Sequence, residues 1–334
     1  MRAMVLEAPA PADSRPLELR EVPVPEPGAA EVLLKVLACG VCRTDLHVVE
    51  GELPDPRLPL VPGHQIVATV ERVGDGVEEP VVGDRVGVPW LGGTDGTCPY
   101  CRHGDENLCE RPTFTGYQRD GGYAEFATAR ADFVLPLPDG YPDLQAAPLL
   151  CAGLIGYRAL RLTRIKELDG PPRLGLYGFG SSAHIVIQVA RHLGHDVYVC
   201  TRGAGARAFA LELGAQWAGA ADDRPPVDLD AAIIFAPAGS LVPAALGAVR
   251  RGGSVVCAGI HMSAIPEFPY ELLWGERVLR SVANLTRTDG QEFMKLVPRL
   301  RVHTRVHEFR LEDANDALTE LQRGTLRGTA VLVP

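Results

Sequence analysis

From Leu149 onward the chain repeats one unit: a short apolar run, a turn, then a stretch with helical spacing. "RLGLYGFG" leads into "SSAHIVIQVARHLG", "DVYVCTRG" into "ARAFALELGA", and "LDAAIIFAP" into "SLVPAALGAVRRG", with "SVVCAGI" following. Strands that are apolar on both faces have no side to turn to water. The repeat therefore predicts a parallel sheet covered by helices on both faces, a doubly wound α/β domain. The residues before it, about 150 of them, use another grammar. Short alternations such as "EVLLKVLACG", "QIVATVERVG", "DRVGVPW" and "YAEFATA" are separated by Gly and Pro, as β-strands and turns require. After Asn284 the pattern loosens into a helix and a last strand, "GTAVLVP", which could pair back into the first domain's sheet. A length of 334 residues suits two domains of this kind.

Composition narrows the partners. A hydrophobic fraction of 46% with 22% charged residues describes an ordinary globular chain. The net charge of -9 leaves no clustered Lys and Arg to neutralise phosphates, so nucleic acid is excluded as a partner and small molecules are expected. The N-terminal stretch mixes charges and prolines without an apolar core, so no targeting peptide is read there and a cytoplasmic location is expected. Residues 231–249 lack charge over about one membrane span, but Pro237, Gly239 and Pro243 divide them into strand, turn and helix, and no membrane association is expected. In such a compartment the eight cysteines read as metal ligands or buried thiols rather than disulfides.

"GLYGFGSSAH" carries G-x-G-x-x-A at Gly178, Gly180 and Ala183, after an apolar strand and at the opening of a helix. That context makes it a dinucleotide fingerprint. The first glycine permits the tight turn, the second lets the backbone approach a pyrophosphate, and the helix start at Ser181 and Ser182 offers free N–H groups to the anion. NAD-preferring sites place an acid at the end of the second strand. Here that end is "VCTRG", with Thr201 and Arg202 where the acid would stand, and the reading favours NADP(H) over NAD.

Two further clusters carry metal chemistry. In "DGTCPYCRHGDENLCE" Cys98, Cys101 and Cys109 have the spacing of a zinc knuckle, which needs a fourth ligand. "CGVCRTDLH" gathers Cys42, Arg43, Thr44, Asp45 and His47, "PGHQ" follows at 62–65, and "LLCAG" puts Cys151 where the two grammars meet. With these motifs, the nucleotide fingerprint and "LTRTD" at 285–289, the chain resembles, over essentially its whole length, the zinc-dependent alcohol dehydrogenases of the medium-chain dehydrogenase/reductase family.

The resemblance implies a GroES-like β-rich catalytic domain, residues 1–150 and 288–334, and a Rossmann doubly wound nucleotide-binding domain, residues 151–287. It implies a catalytic zinc on Cys42, His64 and Cys151 with one position open, and a proton relay through Thr44 and His47. Asp45 would fix the tautomer of His64, as carboxylates behind metal-bound histidines do. Arg43 and Arg287 correspond to pyrophosphate-binding arginines, and Trp90 to a pocket aromatic that favours small or primary alcohols. Family knuckles step at i, i+3, i+6 and i+14, which makes Asp95 the fourth ligand of a second zinc, with His103, Asp105 and Glu106 as alternatives. Gln65 departs from the glutamate usual after this histidine, removing a negative charge near the metal. Cys39, Cys200 and Cys257 are expected to be buried thiols.

The expected activity is hydride transfer between alcohols and aldehydes or ketones with NAD(P)(H), in a homodimer or homotetramer. The alternatives on the same fold are a zinc-free quinone or enone reductase, which would need neither Cys42 nor Cys151, and a nonenzymatic NADPH-binding protein.

Overall fold

The computed structural model describes residues 1–165, 170–326 and 328–334. These divide into two compact units. The first comprises Met1–Ala152, Asn284–Arg299 and His303–Pro334, and the second Gly153–Ala283 and Leu300–Val302.

The first unit is built on a sheet whose strands run in the order Val306–Arg310, Thr329–Val333, Glu31–Val41, Gln65–Val73, Arg85–Val88 and Leu135–Pro136, with Phe126–Arg130 also paired to Glu31–Val41. The last strand of the chain thus joins this sheet, antiparallel to Glu31–Val41. Alternating residues such as Leu34, Val36, Ile66, Ala68, Val86 and Leu332 supply a common apolar core. Each large side chain buried there contributes roughly 1.5–3 kcal/mol.

Register in this sheet prepares a site. Gly40 lies opposite Gln65 in the antiparallel pair, so the chain leaves one strand at Cys42 close to where it enters the other at His64. Both residues sit where pairing ends and side chains are free to converge.

Among the described residues the second unit holds six strands, all parallel to their neighbours, in the order Trp217–Gly219, Asp196–Cys200, Arg173–Tyr177, Leu229–Ile234, Val249–Cys257 and Val278–Ser281. In chain order that is 3-2-1-4-5-6, the doubly wound arrangement, in which ligands collect where the order reverses, beyond the carboxyl end of the first strand. Ala231, Ala232, Ile233 and Ile234 are all wholly buried, as a strand covered on both faces demands. The uncharged run at 231–249 is divided between this strand and the helix Leu241–Ala248. Among the described residues no helix is long and apolar enough to cross a membrane.

Candidate active site

Cys42 is the N-cap of the helix Arg43–Val49. Its backbone N–H donates to Asp45 Oδ2 at 2.9 Å and its Sγ accepts the Thr44 N–H at 3.3 Å, a reciprocal capping box with sulfur in place of the usual hydroxyl. The cap fixes both the thiol and the carboxylate. Asp45 Oδ1 then meets His64 Nδ1 at 2.7 Å, with both side chains at 1% exposure or less. A carboxylate on Nδ1 holds the ring hydrogen there and leaves Nε2 with its lone pair facing outward.

That nitrogen faces sulfur. Cys42 Sγ lies 3.3 Å from His64 Nε2 and 4.0 Å from Cys151 Sγ, and the three ligand atoms fall within 4.8 Å of one another. A tetrahedral zinc with bonds of about 2.0–2.3 Å would separate such ligands by about 3.5–3.8 Å. Two soft, half-buried sulfurs and one buried imidazole, drawn together at this spacing, fit that ion. The protonation energetics agree. Burial opposes a thiolate at Cys42, but the Cys151 thiol and the His64 ring overcome it and hold Cys42 well below the ordinary thiol range. Burial likewise opposes a charged His64, yet Asp45 and the Cys42 sulfur lift its pKa to about 10. Without a cation the pair is a thiolate beside a protonated imidazole, and the hydrogen bond to Cys42, with burial, pushes the Cys151 thiol well up; a divalent cation would displace both protons.

The remaining residues of this cluster surround it. Trp90 packs edge-on against the His64 ring at 4.9 Å between centroids and stacks on Phe114 at 5.0 Å. Thr44 and His47, three residues apart on one helix, share a face and are buried. His47 Nδ1 is hydrogen-bonded to Glu52. Arg43, at the first position of the helix, is exposed. Gln65 is wholly buried, and neither of its amide atoms has a hydrogen-bond partner among the described residues. It fills the space that a glycine leaves: a Cβ on Gly40 would lie 2.8 Å from Gln65 Nε2.

In the knuckle, Asp95, Cys98, Cys101 and Cys109 bring one oxygen and three sulfurs within 4.8 Å. Backbone N–H groups of Asp95 and Arg111 each donate to Cys109 Sγ at 3.4 Å, a pattern that stabilises a thiolate. Asp95 Oδ1 accepts from the N–H groups of Cys98 and Thr97, and Oδ2 from Arg111 at 3.2 Å. These contacts, led by the Cys98 N–H, hold the carboxyl far below its usual range, so it stands as an anion beside the sulfurs. The chemistry of this donor set fits zinc. Of the alternative ligands, His103 Nδ1 is hydrogen-bonded to the Pro99 carbonyl, and Glu106 is bound by Arg287.

In the second unit the fingerprint turn joins the strand Arg173–Tyr177 to the helix Ser181–His192. Gly178 has φ of +90°, and a Cβ there would lie 2.8 Å from the backbone N of Ala236, so no other residue fits without displacement. A Cβ on Gly180 would meet nothing within 4 Å. That open ground, before the helix N–H groups, is the cradle a pyrophosphate needs. Ala183 is fully buried on the inner face of the helix. Beyond the second strand lies a cavity of about 590 Å³, lined by Arg202, Arg207, Asp222 and Ser240 among others. Thr201 is buried, and its carbonyl accepts from Arg207 Nη1 at 3.2 Å.

Comparison with known proteins places this geometry. Residues 28–139 match the alcohol dehydrogenase GroES-like domain. Over its full length the chain is 50% identical to "Probable alcohol dehydrogenase AdhA" of Mycobacterium tuberculosis, covering 97% of that protein. The chain belongs to the alcohol dehydrogenase family. A thermostable alcohol dehydrogenase from Pyrobaculum aerophilum, solved with cobalt and zinc, superposes with a TM-score of 0.89 at 26% identity, covering 100% of this chain and 99% of its own. Acetophenone reductase from Geotrichum candidum, solved with NAD, gives a TM-score of 0.86 at 27% identity, covering 100% and 97%.

The molecule is an NAD(P)-dependent alcohol dehydrogenase with a GroES-like and a Rossmann-type unit. Arg287, expected at the pyrophosphate, has hydrogen-bond partners within its own unit. It donates to Glu106 Oε2 at 2.9 Å and Asp132 Oδ2 at 3.1 Å, and lies 4.6 Å from the Phe133 ring centre. Arg207, which the sequence reading did not single out because one arginine on an amphipathic helix reads as a solvated charge, stands three residues into the helix Ala204–Glu212 and lines the cavity beside Arg202. Cys39 and Cys200 are buried thiols, and Cys257 is half-buried.

Proposed function

We propose that this enzyme is a zinc-dependent oxidoreductase that interconverts small or primary alcohols and their aldehydes or ketones, using NADP(H) in preference to NAD(H). The observation that carries the reading is the convergence of Cys42 Sγ, His64 Nε2 and Cys151 Sγ, with Asp45 on the far nitrogen of the histidine. Three ligands are what a catalytic rather than a structural zinc uses. Asp95, Cys98, Cys101 and Cys109 would hold a second zinc whose role is to fix their loop.

When bound, zinc supplies the Lewis acidity that eases removal of an alcohol's proton, and the nicotinamide supplies the hydride acceptor. The chain's own residues do the rest. Cys42, His64 and Cys151 fix the ion, and Asp45 keeps His64 in the tautomer that can bind it. Thr44 accepts the substrate proton at its hydroxyl and passes one on toward His47. Trp90, stacked on Phe114 and set against His64, narrows the space next to the ligands. Gly178, Gly180, Ser181, Ser182 and Ala183 receive the pyrophosphate. Thr201, Arg202 and Arg207 offer a hydroxyl and two guanidinium groups to a ribose 2′-phosphate, which supports NADP(H).

The complete thiolate and imidazole set weighs against a zinc-free reductase. The test is oxidation of a series of alcohols with NAD and NADP in parallel, with zinc measured on the same sample. Two zinc ions per chain and faster turnover with NADP are expected. One zinc would remove the Asp95 assignment, and preference for NAD would remove that of Thr201 and Arg202.

A further inference from the structure

We propose that Glu52 is the residue through which His47 exchanges its proton with water; this rests on the reading above that His47 takes part in proton movement. The helix Arg43–Val49 ends in a defined turn. Glu50 is its C-cap and Gly51 follows with φ of +73°. The Gly51 N–H donates to the Val48 carbonyl at 3.2 Å and the Glu52 N–H to the His47 carbonyl at 2.9 Å. That pair of bonds is the Schellman ending, which brings the second residue beyond the cap against the third residue from the helix end. The contact so made is usually between two apolar side chains. Here the two residues are Glu52 and His47, and their side chains meet through a hydrogen bond between Nδ1 and Oε2. Gly51 is held to the turn twice over, since a Cβ there would also come 2.9 Å from Pro9 Cβ.

Exposure gives the pair a direction. The His47 side chain is 11% exposed and that of Glu52 is 50% exposed, so the carboxylate spans from a buried imidazole to solvent. The neighbouring acid, Glu50, is turned elsewhere, accepting from the Ala12 N–H and from Gln322 Nε2. During alcohol oxidation His47 takes up a proton on Nε2 and becomes imidazolium. Nδ1–H passes to the Glu52 carboxylate, and the resulting carboxylic acid loses its proton to water or a buffer base. One proton leaves for each that enters, no electrons move, and the ring returns to its starting tautomer between turnovers with no net proton gained or lost. Reduction runs the same path inward. Glu52 touches neither substrate nor cofactor in this scheme and is a positioning and transfer residue.

The experiment compares zinc-loaded wild type, Glu52→Gln, Glu50→Gln and His47→Gln, recording kcat from low to high imidazole buffer concentration and the solvent isotope effect on kcat. Glu52→Gln is isosteric and half-exposed, and zinc content and melting temperature establish that it is folded. It should lower kcat about tenfold in dilute buffer, less than the roughly 10²–10⁴-fold of a group that meets the reacting atoms itself, because Glu52 acts through His47. Imidazole should restore the rate, and the solvent isotope effect should rise, while wild type and Glu50→Gln show no buffer dependence. If Glu52→Gln matches wild type in dilute buffer while His47→Gln is slow, the assignment of Glu52 is wrong. A loss that imidazole does not restore would make Glu52 merely structural and equally overturn it. If His47→Gln is also unimpaired, the relay itself, and not only its exit, is refuted.

Discussion

Replacing Asp45 by Asn tests how much of the metal site is made by a residue that never touches the metal. The substitution preserves shape but not hydrogen-bonding capacity. Asp45 accepts two hydrogen bonds at 2.7 and 2.9 Å, from His64 Nδ1 and the Cys42 N–H, and it is wholly buried. An amide has one oxygen to meet these two donors. If that oxygen faces Cys42, the NH₂ group faces His64 and forces the ring hydrogen onto Nε2, where the sulfurs converge. If it faces His64, the NH₂ group opposes the Cys42 N–H, and a buried donor left unpaired costs about 1–3 kcal/mol. Either way the loss falls on the metal-competent state. Removing such a carboxylate typically costs 10–100-fold in metal affinity, about 1.4–2.7 kcal/mol. Chelator competition should therefore show the catalytic zinc leaving Asp45→Asn at a chelator activity about 10–100-fold lower than for wild type, with the knuckle zinc unmoved and alcohol oxidation falling in step with the zinc lost. An unchanged midpoint would refute the argument that Asp45 sets the tautomer of His64.

Three other perturbations reach separate parts of the account. Gln65→Met removes two buried polar atoms that have no partner among the described residues, and should raise unfolding free energy by about 1–3 kcal/mol in denaturant titration; a decrease would mean that the amide is satisfied in solution. Arg207→Ala should raise the KM for NADP about tenfold and leave that for NAD unchanged, one charge-assisted contact being worth about 1.5–3 kcal/mol; equal effects on both would place Arg207 outside the phosphate site. Burial opposes ionisation of Glu31, but the Arg119 guanidinium overrides it and lowers the carboxyl pKa from its ordinary 4.5. A depressed carboxylate stabilises the fold above its unfolded pKa, and this is lost as pH falls through the folded value. Glu31→Gln should therefore lower the melting temperature at neutral pH, with the deficit closing below about pH 4.5; a deficit constant with pH would contradict this.

The fold was legible where burial is symmetric. Ile233 and Ile234 could be recognised as a strand covered on both faces because no exposed strand tolerates consecutive apolar residues. The fingerprint was legible because Gly178 adopts a positive φ that other residues rarely take, and because Gly180 leaves open ground before the helix start. The metal clusters were nominated by motif and resemblance, since Cys42 and Cys151 lie 109 residues apart and spacing alone could not join them. What escaped the sequence were side chains whose role depends on another element's end. Glu52 reads as a loop charge until the helix Arg43–Val49 is known to stop at Val49, which puts it beside His47. The ion pairs of Arg287 with Glu106 and Asp132 were likewise hidden, since those acids lie far from it in sequence.

The central claim, a zinc ion on Cys42, His64 and Cys151, is tested most directly by anomalous diffraction at the zinc edge from crystals of zinc-replete protein. A peak is expected about 2.3 Å from both sulfurs and about 2.0–2.1 Å from His64 Nε2, lost in Cys42→Ser along with alcohol oxidation. Absence of that peak while the knuckle shows one, or full turnover without it, would refute the three-ligand zinc site.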